Sequence, residues 1–220
     1  MVAGDDKLKS KTLALILILV GVIVLFATSS ELYSSHDIGI TIKTNGTDIT
    51  SISTPPLSFV PPAMISEIKQ KATDDLIDDT STVDTFKSDI ENIAQEYNYT
   101  VNVTIVSQFG TNQLPMPATV NGTSMVPTLK DGQQIIVLKT SNLQVGDIVV
   151  ARHPQYGLIV KRLAAISGDQ VYLRSDNRQV EILGTQTIIE NGQSEIVTME
   201  KKPLDTWLPR EDVIGVVRVY

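Results

Sequence analysis

Cysteine is absent from the 220-residue chain, which excludes disulfides and any thiolate chemistry. The absence fits either side of a membrane and assigns no compartment. Histidine occurs only twice, at His36 and His153, too sparse and too far apart in sequence for a zinc site. A basic excess is also missing. The chain has 18 Lys and Arg against 25 Asp and Glu, a formal net charge of −7, and no basic stripe, which argues against nucleic acid as a partner. Between Lys11 and Lys43 there is no Lys or Arg at all.

What is present begins inside that gap. Residues 12–27 (TLALILILVGVIVLFA) carry no charge, and with Thr28, Ser29 and Ser30 the run approaches the ~20 residues a helix needs to cross a bilayer. Lys7, Lys9 and Lys11 precede it, so the positive-inside rule makes residues 1–11 a cytoplasmic tail and puts everything after residue 30 outside. The expectation is a transmembrane signal anchor over residues 12–30. The competing reading is a cleaved signal peptide, for which Ala27, Thr28 and Ser29 supply small residues. Four Asn-x-Thr sequons follow, at Asn45, Asn98, Asn102 and Asn121, and they suit an external location.

Beyond the run the chain divides in two. Residues 31–112 carry helical periodicity. Met64, Ile65, Ile68, Ala72 and Leu76 form one stripe, and Phe86, Ile90, Ile93, Ala94 and Tyr97 another, with Ser81 and Thr82 as N-cap candidates. Residues 99–106 alternate as a strand and residues 38–42 are placed to pair with it, giving a small α/β membrane-proximal module without evident chemistry. Residues 113–220 contain many short candidate strands, at 134–138, 147–151, 158–164, 170–174, 179–183, 187–189 and 213–219. They are punctuated by Gly-Asp and Asn-Gly turns, the pattern of a mainly β domain, an antiparallel sandwich or partly open barrel.

Within this second region the segment 121–132 (NGTSMVPTLKDG) raises Ser124 as a nucleophile. A serine hydroxyl needs a partner that takes its proton. His153 lies in a turn-like connection between two strands. Lys161 is the more telling candidate. By alternation it shares a strand face with Ile159 and Leu163, whereas Val160, Arg162 and Ala164 point the other way. A lysine on an apolar face is desolvated, its ammonium disfavoured, and the neutral amine then serves as a general base. The bland alternative is an edge lysine whose head reaches water.

These residues carry a family resemblance. Residues 122–129 (GTSMVPTL) resemble the nucleophile box of type I signal peptidases, residues 146–150 (GDIVV) the strand box that follows, and residues 160–169 (VKRLAAISGD) the box that holds the base. Ser175-Asp176-Asn177 is similar to the family's Gly-Asp-Asn box, and residues 209–217 to its closing strand. The boxes run in the family's order across residues 113–220. Bacterial-type members have Lys before the Arg, where the eukaryotic reticulum type has His, so the resemblance implies a Ser124–Lys161 dyad. It implies an oxyanion hole built from backbone around Gly122, Thr123 and Ser124, and Gly122 lets the chain approach closely. It also implies an edge strand at Pro117, Ala118, Thr119 and Val120 that pairs with an extended substrate, and Met125 near the membrane side of the site. Asp176 is the candidate to support Lys161, since Arg178-Gln179-Val180-Glu181 stand where the family has further polar residues.

The resemblance thus implies a membrane-bound serine endopeptidase, single-pass in the cell membrane with its catalytic domain outside. It would remove signal peptides from exported preproteins, with small residues at the first and third positions before the cut, and would need no metal or organic cofactor. Its partners would be preprotein signal peptides, membrane lipid and the export translocon. Asn121 would stay unglycosylated, because a glycan there would obstruct Ser124. The alternatives are a related Ser/Lys protease for one dedicated partner or for itself, and a non-catalytic anchored binding module on the same scaffold.

Overall fold

A computed structural model describes residues 36–190 and 193–219. The apolar run at residues 12–30 and the expected turn at Asn191-Gly192 lie outside the described residues. No helix among those described is long and apolar enough to cross a membrane.

The first unit is a four-stranded sheet backed by two helices. Strands β1 (His36–Thr44) and β2 (Ile49–Ser53) form a hairpin. Helices α1 (Pro62–Ile77) and α2 (Val83–Glu96) then return the chain to β3 (Tyr99–Ser107), and the two-residue β4 (Gly110–Thr111) closes the edge. β3 pairs with β1 in parallel, Ile38 opposite Val101 and Ile42 opposite Ile105, which is why so long a crossover separates them. Proline at the first turn starts α1, where the missing N–H is no loss. α2 starts at a reciprocal cap. Thr82 Oγ1 accepts from Thr85 N, and Thr82 N donates to Thr85 Oγ1. The two apolar stripes face the sheet, with Met64, Ile68, Ala72, Leu76, Phe86, Ile90 and Ala94 fully buried against Ile40, Ile42, Val103 and Ile105. Burial of each large side chain contributes about 1.5–3 kcal/mol.

The second unit is a seven-stranded sheet in which every pairing is antiparallel, in the order β12-β9-β8-β7-β13-β6-β5. Its strands are β5 (Pro115–Thr119), β6 (Gln134–Lys139), β7 (Ile148–His153), β8 (Gly157–Ser167), β9 (Gln170–Arg174), β12 (Thr206–Pro209) and β13 (Val213–Val219). Both faces of its centre are covered. On β7, Val149 and Ala151 enter one core while Ile148 and Val150 enter another, so the strand reads as an unbroken apolar run. Strand β5 is an edge, paired with β6 alone among the described strands. A separate hairpin, β10 (Glu181–Glu190) with β11 (Gln193–Lys201), projects between β9 and β12. It merges the two short strands expected at 179–183 and 187–189 into one.

The two units are joined tightly. Leu114, which leads into β5, is buried in the core of the first unit. Lys139 on β6 donates to the carbonyls of Asp75 and Asp78 at the end of α1, where the helix dipole favours a cation. Arg152 on β7 binds Asp79 through its side chain at 2.8 Å and through its carbonyl at 2.7 Å. The link between the two helices, residues 78–82, is therefore partly spent on this seam through Asp78 and Asp79.

Candidate active site

Ser124 sits in the turn between β5 and β6. Two features shape that turn. Gly122 has φ +93°, a conformation L side chains rarely adopt, and its N–H donates to Asp131 Oδ1 at 2.7 Å. A Cβ on Gly122 would meet nothing within 4 Å, so the glycine serves the backbone conformation rather than the close approach expected of it. Its N–H is spent on Asp131. By contrast, the N–H groups of Thr123 and Ser124 have no acceptor among the described residues. The second feature is an apolar plug beneath the turn. Met125 and Leu129 are fully buried with Val120 close to fully buried, packed with Ile135, Val137 and Ile148. Met125 and Val120 therefore belong to the core in this structure and present no surface to a ligand. Pro117, Ala118 and Thr119 keep some exposure on the edge strand.

Lys161 comes from β8, whose burial alternates as the sequence implies. Ile159, Lys161 and Leu163 are buried, Val160 and Arg162 only in part. Lys161 is 4% exposed, opposite Val149 in the ladder, and its Nζ lies 2.6 Å from Ser124 Oγ. Burial pushes the amine below its ordinary value, and the Asp205 carboxylate partly opposes that shift. The snorkelling alternative does not hold for a side chain this enclosed. β9 pairs with β8 only from Arg162 onward, so the half of β8 that leads to Lys161 is bonded on the β7 side alone.

Ser175-Asp176-Asn177 follows β9 and staples the site. Asn177 donates its N–H to Ser124 O at 2.9 Å and its side-chain amide to Thr123 O at 3.1 Å. Asp176 does not support Lys161 directly. It takes Arg162 Nε at 2.7 Å and Nη2 at 2.6 Å, and accepts from Thr128 Oγ1 at 2.6 Å. The alternation that buries Lys161 turns its neighbour Arg162 to the opposite face, and Asp176 meets it there. The guanidinium holds the Asp176 carboxyl below the usual carboxylate range.

His153 lies at the far end of the β7–β8 hairpin, opposite Gly157, with Nδ1 accepting from Gln155 N. Four ladder steps separate it from Lys161, about 13 Å of strand, so it plays no part at Ser124. Sequence reasoning assigned no role to Asp205, which accepts from Ser175 N at 3.2 Å and pairs with Arg178, or to Thr128. Thr128 was inside the quoted nucleophile segment, but nothing in the spacing ties it to a carboxylate 48 residues on.

A hydroxyl, a desolvated amine in contact with it, and two unpaired N–H groups beside it form an arrangement suited to acyl transfer. Comparison with known proteins agrees. Residues 85–197, just over half of the chain, match the family described as Peptidase S24-like. The match begins inside α2, ahead of the edge strand, and takes in both Ser124 and Lys161. Signal peptidase IB of Staphylococcus aureus (strain Mu50 / ATCC 700699) is 38% identical over 68 residues, covering 29% of this chain and 36% of that protein. Signal peptidase I U of Bacillus subtilis (strain 168) is 38% identical over 65 residues, 27% of this chain and 35% of that protein. The chain thus spans about a third of the length of these curated relatives.

Proposed function

This chain belongs to the peptidase S24-like family and is a type I signal peptidase-like protein, and from that premise we propose that it is a membrane-bound serine endopeptidase that removes signal peptides from exported preproteins. Ser124 is the nucleophile and Lys161 the general base. The observation that carries this reading is the 2.6 Å contact between Lys161 Nζ and Ser124 Oγ, made by an amine that is 4% exposed.

The chemistry follows from that contact. Neutral Lys161 takes the Ser124 proton as Oγ attacks the carbonyl at the cleavage site. The N–H groups of Ser124 and Thr123 receive the developing oxyanion. Lys161 passes its proton to the leaving amine, and then takes one from the water that releases the acyl group. A substrate in extended form adds itself to the outer edge of β5, next to Pro117, Ala118 and Thr119. The uncharged run at residues 12–30 supplies the anchor that places this site where exported chains emerge.

The test is cleavage of a preprotein by the full chain in detergent, wild type beside Ser124→Ala and Lys161→Ala. The reading requires a cut after a small residue by the wild type and a loss of at least about 1,000-fold in each variant. Retained cleavage in Lys161→Ala would move the base elsewhere. No cleavage by folded wild-type protein of several preproteins would overturn the reading in favour of a protease for one dedicated partner or a non-catalytic scaffold.

A further inference from the structure

Ahead of the family match, which begins at residue 85, the chain holds a second uncharged stretch. No Asp, Glu, Lys or Arg occurs from Ile49 to Ser66. Its middle is the loop between β2 and α1, residues 54–61, with prolines at 55, 56 and 61. The loop presents Leu57 at 97% exposure and Phe59 at 92%, and no other large apolar side chain among the described residues is as open. This openness is built into the backbone. Ser58 closes a turn onto Pro55 O, through its N–H at 3.3 Å and its Oγ at 2.7 Å. Leu57 takes the third position of that turn with φ +69°, where glycine or asparagine is the ordinary choice. Val60 turns back onto the core, and Tyr99 at the start of β3 donates its hydroxyl to Phe59 O at 2.7 Å. A fixed loop therefore holds a leucine in strained backbone with its side chain in water, the kind of outlier that points to function.

The topology fixes where the loop lies. β1 and β3 run parallel and start level, His36 opposite Tyr99. β2 runs back along β1, from Ile49 opposite Thr44 to Ser53 opposite Thr41. The loop that follows β2 is thus at the end of the sheet where β1 begins. The uncharged run at residues 12–30 ends six residues before His36, a reach of at most about 22 Å. We propose that this loop is a second membrane contact, in which Leu57 and Phe59 enter the interface of the bilayer that holds residues 12–30. The inference rests on the membrane-bound reading and goes beyond it. Lipid is the occupant because the anchor delivers this end of the sheet to the bilayer and the stretch brings no charge that must be desolvated. No Lys or Arg lies between Lys43 and Lys69, so the contact is apolar and needs no anionic headgroup. Tyr97 and Tyr99, both half-buried at this end, have the apolar ring and polar tip suited to the water–lipid boundary. One attachment leaves the orientation of the external units open, and a second fixes it.

The lack of cysteine makes the test direct. Leu57→Cys, Phe59→Cys and a control, Ile77→Cys, each carry one nitrobenzoxadiazole label on the full chain in phosphatidylcholine vesicles, with and without a doxyl quencher on the acyl chains. Ile77 is also apolar and 62% exposed, but it ends α1, about 20 Å of helix from the loop. All three side chains are exposed, and Phe59 accepts from Tyr99 through its carbonyl, so the labelled chains keep the wild-type melt. The labels at 57 and 59 shift to the blue and lose most of their emission to doxyl lipid, whereas the label at 77 does neither. A chain that does not float with the vesicles overturns the membrane-bound reading and the inference with it. A chain that floats while the labels at 57 and 59 are quenched no more than that at 77 overturns the inference alone. A blue shift without quenching, growing with the protein-to-lipid ratio, puts a second copy of the chain on the loop and also overturns it.

Discussion

Asp176→Asn is the substitution whose consequence can be worked most fully. The carboxylate accepts two bonds from Arg162 and one from Thr128, with side chains 12% exposed for Asp176 and 30% for Arg162. Asparagine keeps the shape and one acceptor but loses the charge and leaves part of the guanidinium unpaired. Hydrogen bonds to charged groups contribute about 1.5–3 kcal/mol each, and the partial exposure and the retained acceptor discount that, leaving a cost of about 2 kcal/mol. For a chain of this length the melting temperature falls by about 4–8 °C at pH 7. The pH dependence carries the sign. Asp176 has a folded-state value held below its ordinary one by Arg162. Its contribution is therefore complete above the unfolded value of about 4 and is lost as pH falls through the folded value. The gap between wild type and variant should be full at pH 7 and shrink below about pH 4. Because the clamp joins the strand bearing Lys161 to the turn bearing Ser124, cleavage should also fall by about 10- to 100-fold, the effect of a displacement of roughly 1 Å. Thermal melts by circular dichroism from pH 3 to 8 make the measurement. A variant as stable as wild type at pH 7, or a gap that widens in acid, would refute the reasoning.

Two further substitutions probe the frame around the site. Gly215→Ala should abolish folding at 37 °C, because an added Cβ would lie 2.1 Å from Leu138 O on the neighbouring strand, a backbone contact with nowhere to move; soluble expression and a cooperative melt would contradict this. Lys139 is pushed down to about 8 by its burial at the seam. The unfolded chain therefore binds more protons than the folded one between about pH 8 and its ordinary value near 10.5, and wild-type stability should rise across that window, whereas Lys139→Met should show no such rise from this group in urea midpoints at pH 7.5 and 10.

The parts of this site that were legible in the sequence are those set by local period. Lys161 between Ile159 and Leu163 declared a buried face because a strand alternates, and the β8 burial pattern follows that alternation. The two helical stripes, the Thr82 cap and the pairing of residues 38–42 with 99–106 were legible for the same reason. What the chain hides is long-range closure. Asp205 stands after a hairpin whose length nothing near Ser175 encodes, so its contact with Ser175 N could not be read. β2 and β12 are short and lack a strong period. Asp176 was assigned to the lysine rather than to Arg162 because adjacency in sequence does not say which face a partner approaches. Met125 was expected near the membrane side of the site as a substrate contact, but the turn that carries Ser124 puts the next side chain into the core.

The proline pattern of β5 gives its edge a direction. Leu114 O accepts from Lys139 N on β6, and Val120 O accepts from Gly132 N just ahead of it, so the even positions bond inward and Pro115, Pro117 and Thr119 bond outward. Proline has no N–H to give. The outer rim therefore offers three carbonyl acceptors and a single donor, Thr119. Two copies of this edge laid against each other would face acceptor with acceptor at the prolines, and edge-to-edge aggregation is disfavoured. A peptide with ordinary amides can still donate to all three carbonyls. The rim stays open to chains unlike itself and closed to its own kind.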